Sequence, residues 1–310
     1  MKRVGYLIVV ALAVASCGRS EAPPAETAAP APSAETAAVA APAALTAAWT
    51  VTDGIQTPES VYFDAASNTI FTSQIAGAPD GMDGNGRIVK LDGNGTVVNA
   101  NFTTGLNAPK GLRLHNGTLY VADLGELVAI DATSGKIASR TKLDGAMFPN
   151  DVAVGADGTV YVSDMMANRI YAVKDGKATV FMEGEQLEHP NGLLVEGDRL
   201  LVGGWGSAPK ADFSTDVPGH LFAINLKTKA KTNITPEPIG NIDGLESDGN
   251  GGYVVTDYVK GEVLRVSANG ESRSIAKFMP GTADIGFMTG HNMILIPHMN
   301  ENKVAAYTLP

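Results

Sequence analysis

The feature that most constrains this chain is an internal repeat of short strands. Each copy contains a turn, an alternating apolar strand, a second strand and a third strand that mixes charged and apolar residues. Six copies start at intervals of 40 to 52 residues, at Pro58-Glu59, Pro109-Lys110, Pro149-Asn150, Pro190-Asn191, Ile242-Asp243 and Ala283-Asp284. This period is typical of β-propellers, in which each repeat forms one blade. The sequence therefore predicts an all-β fold, a six-bladed β-propeller over residues 47–310.

The pattern inside the repeats favours strands over helices. Segments such as residues 159–162 alternate along the chain and are bounded by turn dipeptides, whereas helical periodicity is nearly absent. The last repeat lacks sequence for a fourth strand after Tyr307, while an alternating segment, Trp49 to Thr52, precedes the first repeat. We expect this N-terminal segment to pair onto the sixth blade, because ring closure removes two exposed sheet edges.

The residues before the repeats carry an export pattern. Residues 1–16 contain a charged head, an apolar stretch from Val4 to Val14 and small residues before Cys17. This arrangement predicts a signal peptide rather than a spanning helix. Residues 14–17 also resemble the bacterial lipobox, which implies a lipidated Cys17 and a lipoprotein anchored on the periplasmic side of the cell envelope. Gly18 favours the outer membrane, and an ordinary cleaved signal with an incidental cysteine is the alternative.

Composition limits the remaining possibilities. Residues 17–46 consist largely of Ala, Pro, Glu, Thr and Ser, which cannot bury enough apolar surface to offset their ordering entropy, so we predict a flexible linker. The formal net charge of -10 argues against nucleic acid as a partner and is compatible with a cation. Because Cys17 is the only cysteine, no disulfide can form within one chain.

The repeat register brings six polar residues to one mouth of the central channel. The first strand of each blade lines that channel, so residues at the strand starts form a ring. These ring residues are Glu59, Lys110, Asn150, Asn191, Asp243 and Asp284. Turn chemistry would explain Asn191-Gly192 and Asp243-Gly244, but it does not explain Glu59 or Lys110. The alternative is a hard-cation site of two carboxylates and two amides, since Ca²⁺ prefers oxygen ligands whereas Zn²⁺ is expected to use His or Cys.

The order Glu, Asn, Asn, Asp resembles the regucalcin/gluconolactonase family, also called the senescence marker protein family. The short motifs PES, PND, PNG and IDG stand at the corresponding repeat starts. The resemblance, which extends in plan to paraoxonases and diisopropyl fluorophosphatase, implies one bound divalent cation, usually Ca²⁺, and hydrolysis of lactones or phosphoesters. It implies Glu59, Asn150, Asn191 and Asp243 as metal ligands. Asp243 is also the candidate base or nucleophile, with a water on the cation as the alternative.

Lys110 departs from that ligand plan. An ammonium group in the ring would repel a nearby cation. We therefore expect Lys110 to pair with Asp284 or Glu59, to bind a substrate anion, or to take the place of the cation altogether.

The ends of the second strands add further candidates at the same mouth. Asp123, Asp164 and Asp257 recur in a turn setting and are interpreted as turn caps. Trp205 and His298 break the repeat pattern, and such departures often mark function. Trp205 is predicted to form an apolar wall for a ligand or to pack in the core. His298 is predicted to act as an acid or base or to be a packing residue.

Two insertions follow second strands and are expected to overhang the mouth as lids. They cover Ile75 to Gly86 and Gly206 to Gly219.

Two functions remain open from the sequence. The first is an envelope-anchored, Ca²⁺-dependent hydrolase whose partner is a small-molecule lactone or ester. The second is a non-catalytic propeller of the NHL-repeat kind that binds a protein, a glycan or a small ligand. Motifs such as Asn168-Arg169-Ile170-Tyr171 occur in binding scaffolds, and a fold alone does not decide function. The sequence contains no Gly-x-Ser-x-Gly elbow, phosphate loop or His-Glu-x-x-His motif.

Overall fold

A computed structural model describes residues 45–210 and 212–310. The predicted signal peptide (1–16), Cys17 and nearly all of the predicted linker (17–46) lie outside these residues. Within the described part of the chain, no helix has the length and apolar character needed to cross a membrane.

The described residues form six four-stranded antiparallel sheets. The first strand, β1 (Ala47–Val51), precedes the blades. Blade 1 consists of β2 (Pro58–Asp64), β3 (Thr69–Gln74), β4 (Gly86–Asp92) and β5 (Val97–Leu106). Blade 2 consists of β6 (Leu112–His115), β7 (Thr118–Asp123), β8 (Glu126–Asp131) and β9 (Ile137–Lys142). Blade 3 consists of β10 (Pro149–Val154), β11 (Val160–Asp164), β12 (Arg169–Lys174) and β13 (Lys177–Glu183).

The second half of the ring repeats the plan. Blade 4 consists of β14 (Pro190–Glu196), β15 (Arg199–Gly204), β16 (Leu221–Asn225) and β17 (Lys231–Asn233). Blade 5 consists of β18 (Ile242–Ser247), β19 (Tyr253–Asp257), β20 (Glu262–Val266) and β21 (Ser272–Lys277). Blade 6 consists of β22 (Gly286–Met288), β23 (Met293–His298) and β24 (Lys303–Thr308), together with β1. Two short 3₁₀ helices span Glu185–Leu187 and Met299–Glu301.

The predicted ring closure is confirmed. Strand β1 pairs antiparallel with β24, and Val51 lies opposite Val304 in the register. The side chains of Trp49 and Val51 pack against an apolar cluster that includes residues of blades 1 and 6. The N-terminal strand therefore completes the last sheet and also packs at the junction where the ring closes.

The core is divided among the blade interfaces. One cluster of buried apolar side chains lies between each pair of neighbouring blades, because every sheet buries both faces against its neighbours. The first strands of neighbouring blades contact one another around the axis. This arrangement places the starts of β2, β10, β14 and β18 around one mouth of the channel.

Candidate metal and substrate site

A β-bulge at the start of four inner strands sets the direction of four side chains. In each case the register skips, so that two residues of the inner strand oppose one residue of the neighbouring strand. A bulge breaks the regular alternation of a strand and can turn a side chain toward a site. The bulged pairs are Glu59-Ser60, Asn150-Asp151, Asn191-Gly192 and Asp243-Gly244. The first residue of each pair is one of the four predicted metal ligands.

Hydroxyl groups of the second strands stabilise three of these bulges. The backbone N–H of the second bulge residue donates to a Ser or Thr oxygen across the ladder. These hydrogen bonds are Ser60 N to Ser73 Oγ at 2.9 Å, Asp151 N to Ser163 Oγ at 2.8 Å and Gly244 N to Thr256 Oγ1 at 2.7 Å. A buried N–H left unpaired by the bulge thus finds an acceptor.

Close packing around the axis, rather than turn chemistry, explains the glycines that follow Asn191 and Asp243. Gly192 and Gly244 lie inside strands β14 and β18 and do not adopt positive φ. A Cβ atom on Gly192 would lie 2.2 Å from the carbonyl oxygen of Asp243. A Cβ atom on Gly244 would lie 2.5 Å from the backbone nitrogen of Ile285. The turn interpretation of these two dipeptides is therefore wrong.

Five of the six ring residues line one cavity of ≈ 60 Å³ at the channel mouth. They are Glu59, Lys110, Asn150, Asn191 and Asp243. The sixth, Asp284, is not among the lining residues. Its carboxylate accepts a hydrogen bond from the Ser60 hydroxyl, and its backbone N–H donates to the Glu59 carbonyl oxygen at 3.0 Å. Asp284 therefore joins blade 6 to blade 1 beside the cavity.

The floor of the cavity carries four buried oxygen atoms that have no hydrogen-bond partner. These atoms are Glu59 Oε2, Asn150 Oδ1, Asn191 Oδ1 and Asp243 Oδ1. A buried acceptor without a partner is costly, so four that face one small cavity require an explanation. Carboxylate and amide oxygens are the ligands that Ca²⁺ takes, and two carboxylates match its charge. The residues present therefore fit a hard divalent cation. Among residues 45–210 and 212–310, no group of three or more His, Cys, Asp or Glu side chains is arranged to hold a metal ion, so the amide oxygens of Asn150 and Asn191 are needed to complete the set.

The environment of the Glu59 and Asp243 carboxyl groups disfavours their ionised form. Burial, followed by the charge of Asp243, raises the pKa of Glu59 well above its usual value. Burial raises the pKa of Asp243 to about 8, and the charge of Asp151 adds to this shift, while Asn191 and Lys110 act in the opposite direction. Without a cation, the carboxyl of Asp243 retains its proton at neutral pH. A bound dication would displace that proton.

Aromatic side chains form the walls above this floor. Phe148, Trp205, Phe213 and Tyr258 line the cavity together with Met165 and Met299. The ring centroid of Trp205 lies 5.7 Å from that of Tyr258 and 6.4 Å from that of Phe213. The Trp205 Nε1–H donates to the carbonyl oxygen of Phe213 at 2.8 Å. Trp205 thus lines the cavity and also packs in a buried apolar cluster with Phe148 and Met165, so its position is compatible with both of its predicted roles.

Both insertions contribute residues to the cavity. Ile75 and Pro79 come from the loop between β3 and β4, and Phe213 comes from the loop between β15 and β16. The structure therefore places both loops at the mouth where the sequence predicted lids.

Comparison with known proteins identifies the family. The profile of the SMP-30/Gluconolactonase/LRE-like region matches residues 57–285. The chain belongs to this family. The matched range includes all six ring residues of this SMP-30/gluconolactonase-like propeller, from Glu59 to Asp284. No curated protein matches the chain.

Solved structures with the same fold share little sequence with this family member. A gluconolactonase from Xanthomonas campestris is 17% identical, with 87% of this chain and 95% of that chain covered and a TM-score of 0.63. The calcium-binding protein regucalcin from Agrobacterium tumefaciens is 16% identical, with 86% and 94% covered and a TM-score of 0.62. Virginiamycin B lyase from Staphylococcus aureus is 14% identical, with 84% and 98% covered and a TM-score of 0.57. At these identities the likeness shows the fold.

In this SMP-30/gluconolactonase-like protein, Lys110 bonds to backbone oxygens rather than to a carboxylate. Its Nζ donates to the carbonyl oxygens of Pro79 and Ala108, each at 3.0 Å, and lies 4.3 Å from the ring centroid of Phe148. No ion pair joins Lys110 to Glu59 or Asp284 in the described part of the chain. Burial lowers the pKa of Lys110 to about 8, and the charge of Glu59 opposes this shift. Lys110 thus ties the Ile75–Gly86 lid loop to the cavity.

The structure places His298 outside the cavity. Its Nε2 lies 2.9 Å from the Tyr307 hydroxyl, and its ring packs edge-on against Phe278 at 4.9 Å between centroids. Burial lowers the pKa of His298 to about 4, so the ring is neutral at neutral pH. The geometry gives His298 a packing role at the end of β23, which is one of its two predicted roles, and His298 is not among the residues that line the cavity, where an acid or base would be needed.

The recurrent aspartates at the ends of the second strands are turn caps. Asp123 accepts hydrogen bonds from the N–H groups of Asn107 and Ala108, both at 2.8 Å. Asp164 does the same for Met147 and Phe148, at 2.9 Å and 2.8 Å. These carboxylates therefore satisfy the backbone of the turns that lead into the ring.

The sequence interpretation missed an ion pair in the channel below the cavity. Arg113 Nη1 on β6 lies 2.6 Å from Glu246 Oε1 on β18, so the pair joins blades 2 and 5. The carboxyl of Asp151 is also buried there, and burial raises its pKa to about 6. Arg113 and Glu246 each stand three residues after a ring residue, Lys110 and Asp243. That equivalent spacing could have revealed them in the repeat register.

Proposed function

We propose that this protein is a divalent-cation-dependent hydrolase of lactones or related esters, and that its cation is Ca²⁺. The observation that carries the proposal is the set of four buried, partnerless oxygens from Glu59, Asn150, Asn191 and Asp243 at one cavity. Family membership supports it, as does the fold shared with a gluconolactonase and a calcium-binding regucalcin.

The residues of the floor would both hold the cation and manage protons. When bound, Ca²⁺ would supply Lewis-acid polarisation of the substrate's carbonyl oxygen. Among the described residues that line the cavity, Glu59 and Asp243 are the carboxylates able to accept a proton from an attacking water. Burial makes each a stronger proton acceptor than an exposed carboxylate in the absence of a cation. A dication held by the same carboxylates would oppose this effect. The surrounding aromatic walls limit access of further water.

Lys110 would support the site from its edge. Its ammonium already binds two carbonyl oxygens and lies on the Phe148 ring, so its hydrogen bonds are made to the backbone and not to the four partnerless oxygens. This geometry favours a role in holding the lid loop over replacement of the cation.

A hydrolysis assay tests the proposal. We would follow acid release from a panel of lactones and aryl esters in CaCl₂ and in EGTA, with wild type, Asp243→Asn and Asp284→Asn. The two variants are matched, because both aspartates are buried ring residues but only Asp243 lines the cavity. We expect wild type and Asp284→Asn to be active in Ca²⁺ and Asp243→Asn to lose at least about a hundredfold. Equal rates in EGTA and CaCl₂, or equal loss in both variants, would refute the site.

We also propose that the protein is exported and anchored in the cell envelope through a lipid on Cys17. The support is the charged head, apolar stretch and lipobox-like residues 14–17. Labelling of bacteria with a radioactive or alkyne-bearing fatty acid should mark the wild-type protein but not Cys17→Ser. Equal labelling of both proteins would contradict this assignment.

A further inference from the structure

The walls of the cavity differ from its floor in offering few free polar groups to a ligand. Among the described lining residues, Trp205 donates its Nε1–H to the Phe213 carbonyl oxygen at 2.8 Å. The Tyr258 hydroxyl is directed to Met299 Sδ at 3.3 Å. The Lys110 ammonium is bound to two backbone carbonyl oxygens. A substrate would therefore meet oxygen ligands at the floor and apolar or aromatic surface above it.

One wall residue, Phe213, has a strained backbone conformation. Phe213 has φ 62, a left-handed conformation that bulky side chains rarely adopt. Two hydrogen bonds fix its backbone. The Phe213 N–H donates to the carbonyl oxygen of Lys210 at 2.9 Å, and the Phe213 carbonyl oxygen accepts from Trp205 Nε1–H at 2.8 Å. This loop conformation places the Phe213 ring 5.9 Å from that of Phe148, inside the cavity wall.

The mouth face also carries exposed apolar side chains, alongside charged residues of the same loops such as Asp80 and Asp216. Among the described residues, seven large hydrophobic side chains are exposed, and five of them lie in loops on the mouth face. These five are Met82, Met147, Met166, Val217 and Met279. Topology places them there because they follow second strands or precede inner strands, which is the side on which the ring residues lie.

We propose that the substrate is a lactone or ester with an apolar alkyl or aryl substituent, which lies against Trp205, Phe213 and Phe148, and not a polyhydroxylated sugar lactone. The inference rests on the proposed function and specifies its substrate class. Sugar hydroxyls in this cavity would lose hydrogen bonds to water and gain few partners on the walls. An alkyl or aryl group would gain by leaving water for an aromatic surface.

Kinetics with matched lactones test this inference. We would compare δ-valerolactone, δ-nonalactone and glucono-δ-lactone with the purified full chain in CaCl₂. We expect kcat/KM to rise by about threefold for each methylene that the wall buries, so that δ-nonalactone exceeds δ-valerolactone by at least about tenfold. Glucono-δ-lactone should be the poorest of the three. If glucono-δ-lactone is hydrolysed best, the inference is overturned while the hydrolase proposal stands.

A matched pair of variants checks that the wall is responsible. Phe213→Gln changes the wall, whereas Phe181→Gln changes a phenylalanine of the outer strand β13 that packs on Tyr161. We expect Phe213→Gln to lower kcat/KM by about tenfold more for δ-nonalactone than for δ-valerolactone, which carries no alkyl substituent. Phe181→Gln should change neither. A parallel loss for both lactones in Phe213→Gln would overturn the assignment of the wall.

A binding measurement separates the inference from catalysis. The chain has two tryptophans, Trp49 and Trp205, so Trp49→Phe leaves the cavity tryptophan as the reporter. Its fluorescence should change saturably with 2-nonanone, which cannot be hydrolysed, and should not change with sorbitol. If no lactone is hydrolysed, the hydrolase proposal fails, and a saturable response to 2-nonanone still supports the apolar wall. No response, or an equal response to sorbitol, overturns the inference.

Discussion

Raising the pH in the absence of divalent cations is expected to destabilise this propeller through Asp243. Burial raises the pKa of this carboxyl from 3.8 to about 8. Between those values the folded state retains a proton that the unfolded state releases, so stability falls as the pH rises. The free energy of unfolding falls by about 1.4 kcal/mol per pH unit, which amounts to about 4 kcal/mol between pH 5 and pH 8.

Other titrating groups define the useful window. Glu59 acts in the same direction, because burial also raises its pKa. Lys110 has a pKa lowered to about 8, so above that pH the unfolded state binds more protons at this position and stability rises again. The effect of Asp243 should therefore be read below pH 8.

The assay is thermal or urea unfolding in EGTA at several pH values from 5 to 8. Wild type should lose more stability across this range than Asp243→Asn, by up to about 4 kcal/mol, or on the order of 10 °C in Tm for a domain of this size. Asp175→Asn, which removes an exposed carboxylate, should follow wild type. Parallel pH profiles for wild type and Asp243→Asn would refute the assigned electrostatics of the cavity.

Three further perturbations probe the ring and the cavity. Deleting residues 47–54 exposes the edge of β24 and removes the packing of Trp49 and Val51, so Tm should fall by about 10 °C; an unchanged Tm would contradict ring closure by β1. Arg113→Met should lower the free energy of unfolding in urea by about 3–5 kcal/mol, because it leaves the buried carboxylate of Glu246 unpaired. Adding Glu246→Met should restore much of the loss, and an unchanged stability in Arg113→Met would contradict the role of the pair. Lys110→Met should tighten Ca²⁺ binding by about tenfold by removing a nearby positive charge. Ca²⁺ binding that appears only in Lys110→Met would show instead that the lysine replaces the cation.

The repeat register was enough to predict the blade count, the closing strand and five residues of one cavity. It succeeded because a propeller uses the same backbone geometry in every blade, so equivalent positions such as Asn150 and Asn191 arrive at the same place. It also assigned Asp284 to the same ring, and the structure places Asp284 beside the cavity, where its carboxylate accepts a hydrogen bond from the Ser60 hydroxyl. Equivalence in sequence therefore predicts the place of a residue around the axis, whereas hydrogen bonds with neighbouring side chains decide whether its carboxylate lines the cavity.

The walls of the cavity were harder to predict. Phe213 lies in an insertion without a counterpart in other repeats, and its position depends on a left-handed backbone fixed by Trp205. His298 illustrates the opposite error. Its place at a strand end suggested exposure at the mouth, whereas packing against Phe278 and Tyr307 buries it. Such outcomes depend on side-chain packing between distant segments, which repeat periodicity does not encode.

Calorimetric titration with CaCl₂ at pH 8 tests the cation site most directly. The four partnerless oxygens predict one site per chain in wild type and in Asp284→Asn, and no measurable binding in Asp243→Asn. They also predict weaker binding at pH 6, because the raised pKa values of Glu59 and Asp243 make protons compete with the cation. The absence of binding in wild type, or equal binding by wild type and Asp243→Asn, would contradict the site.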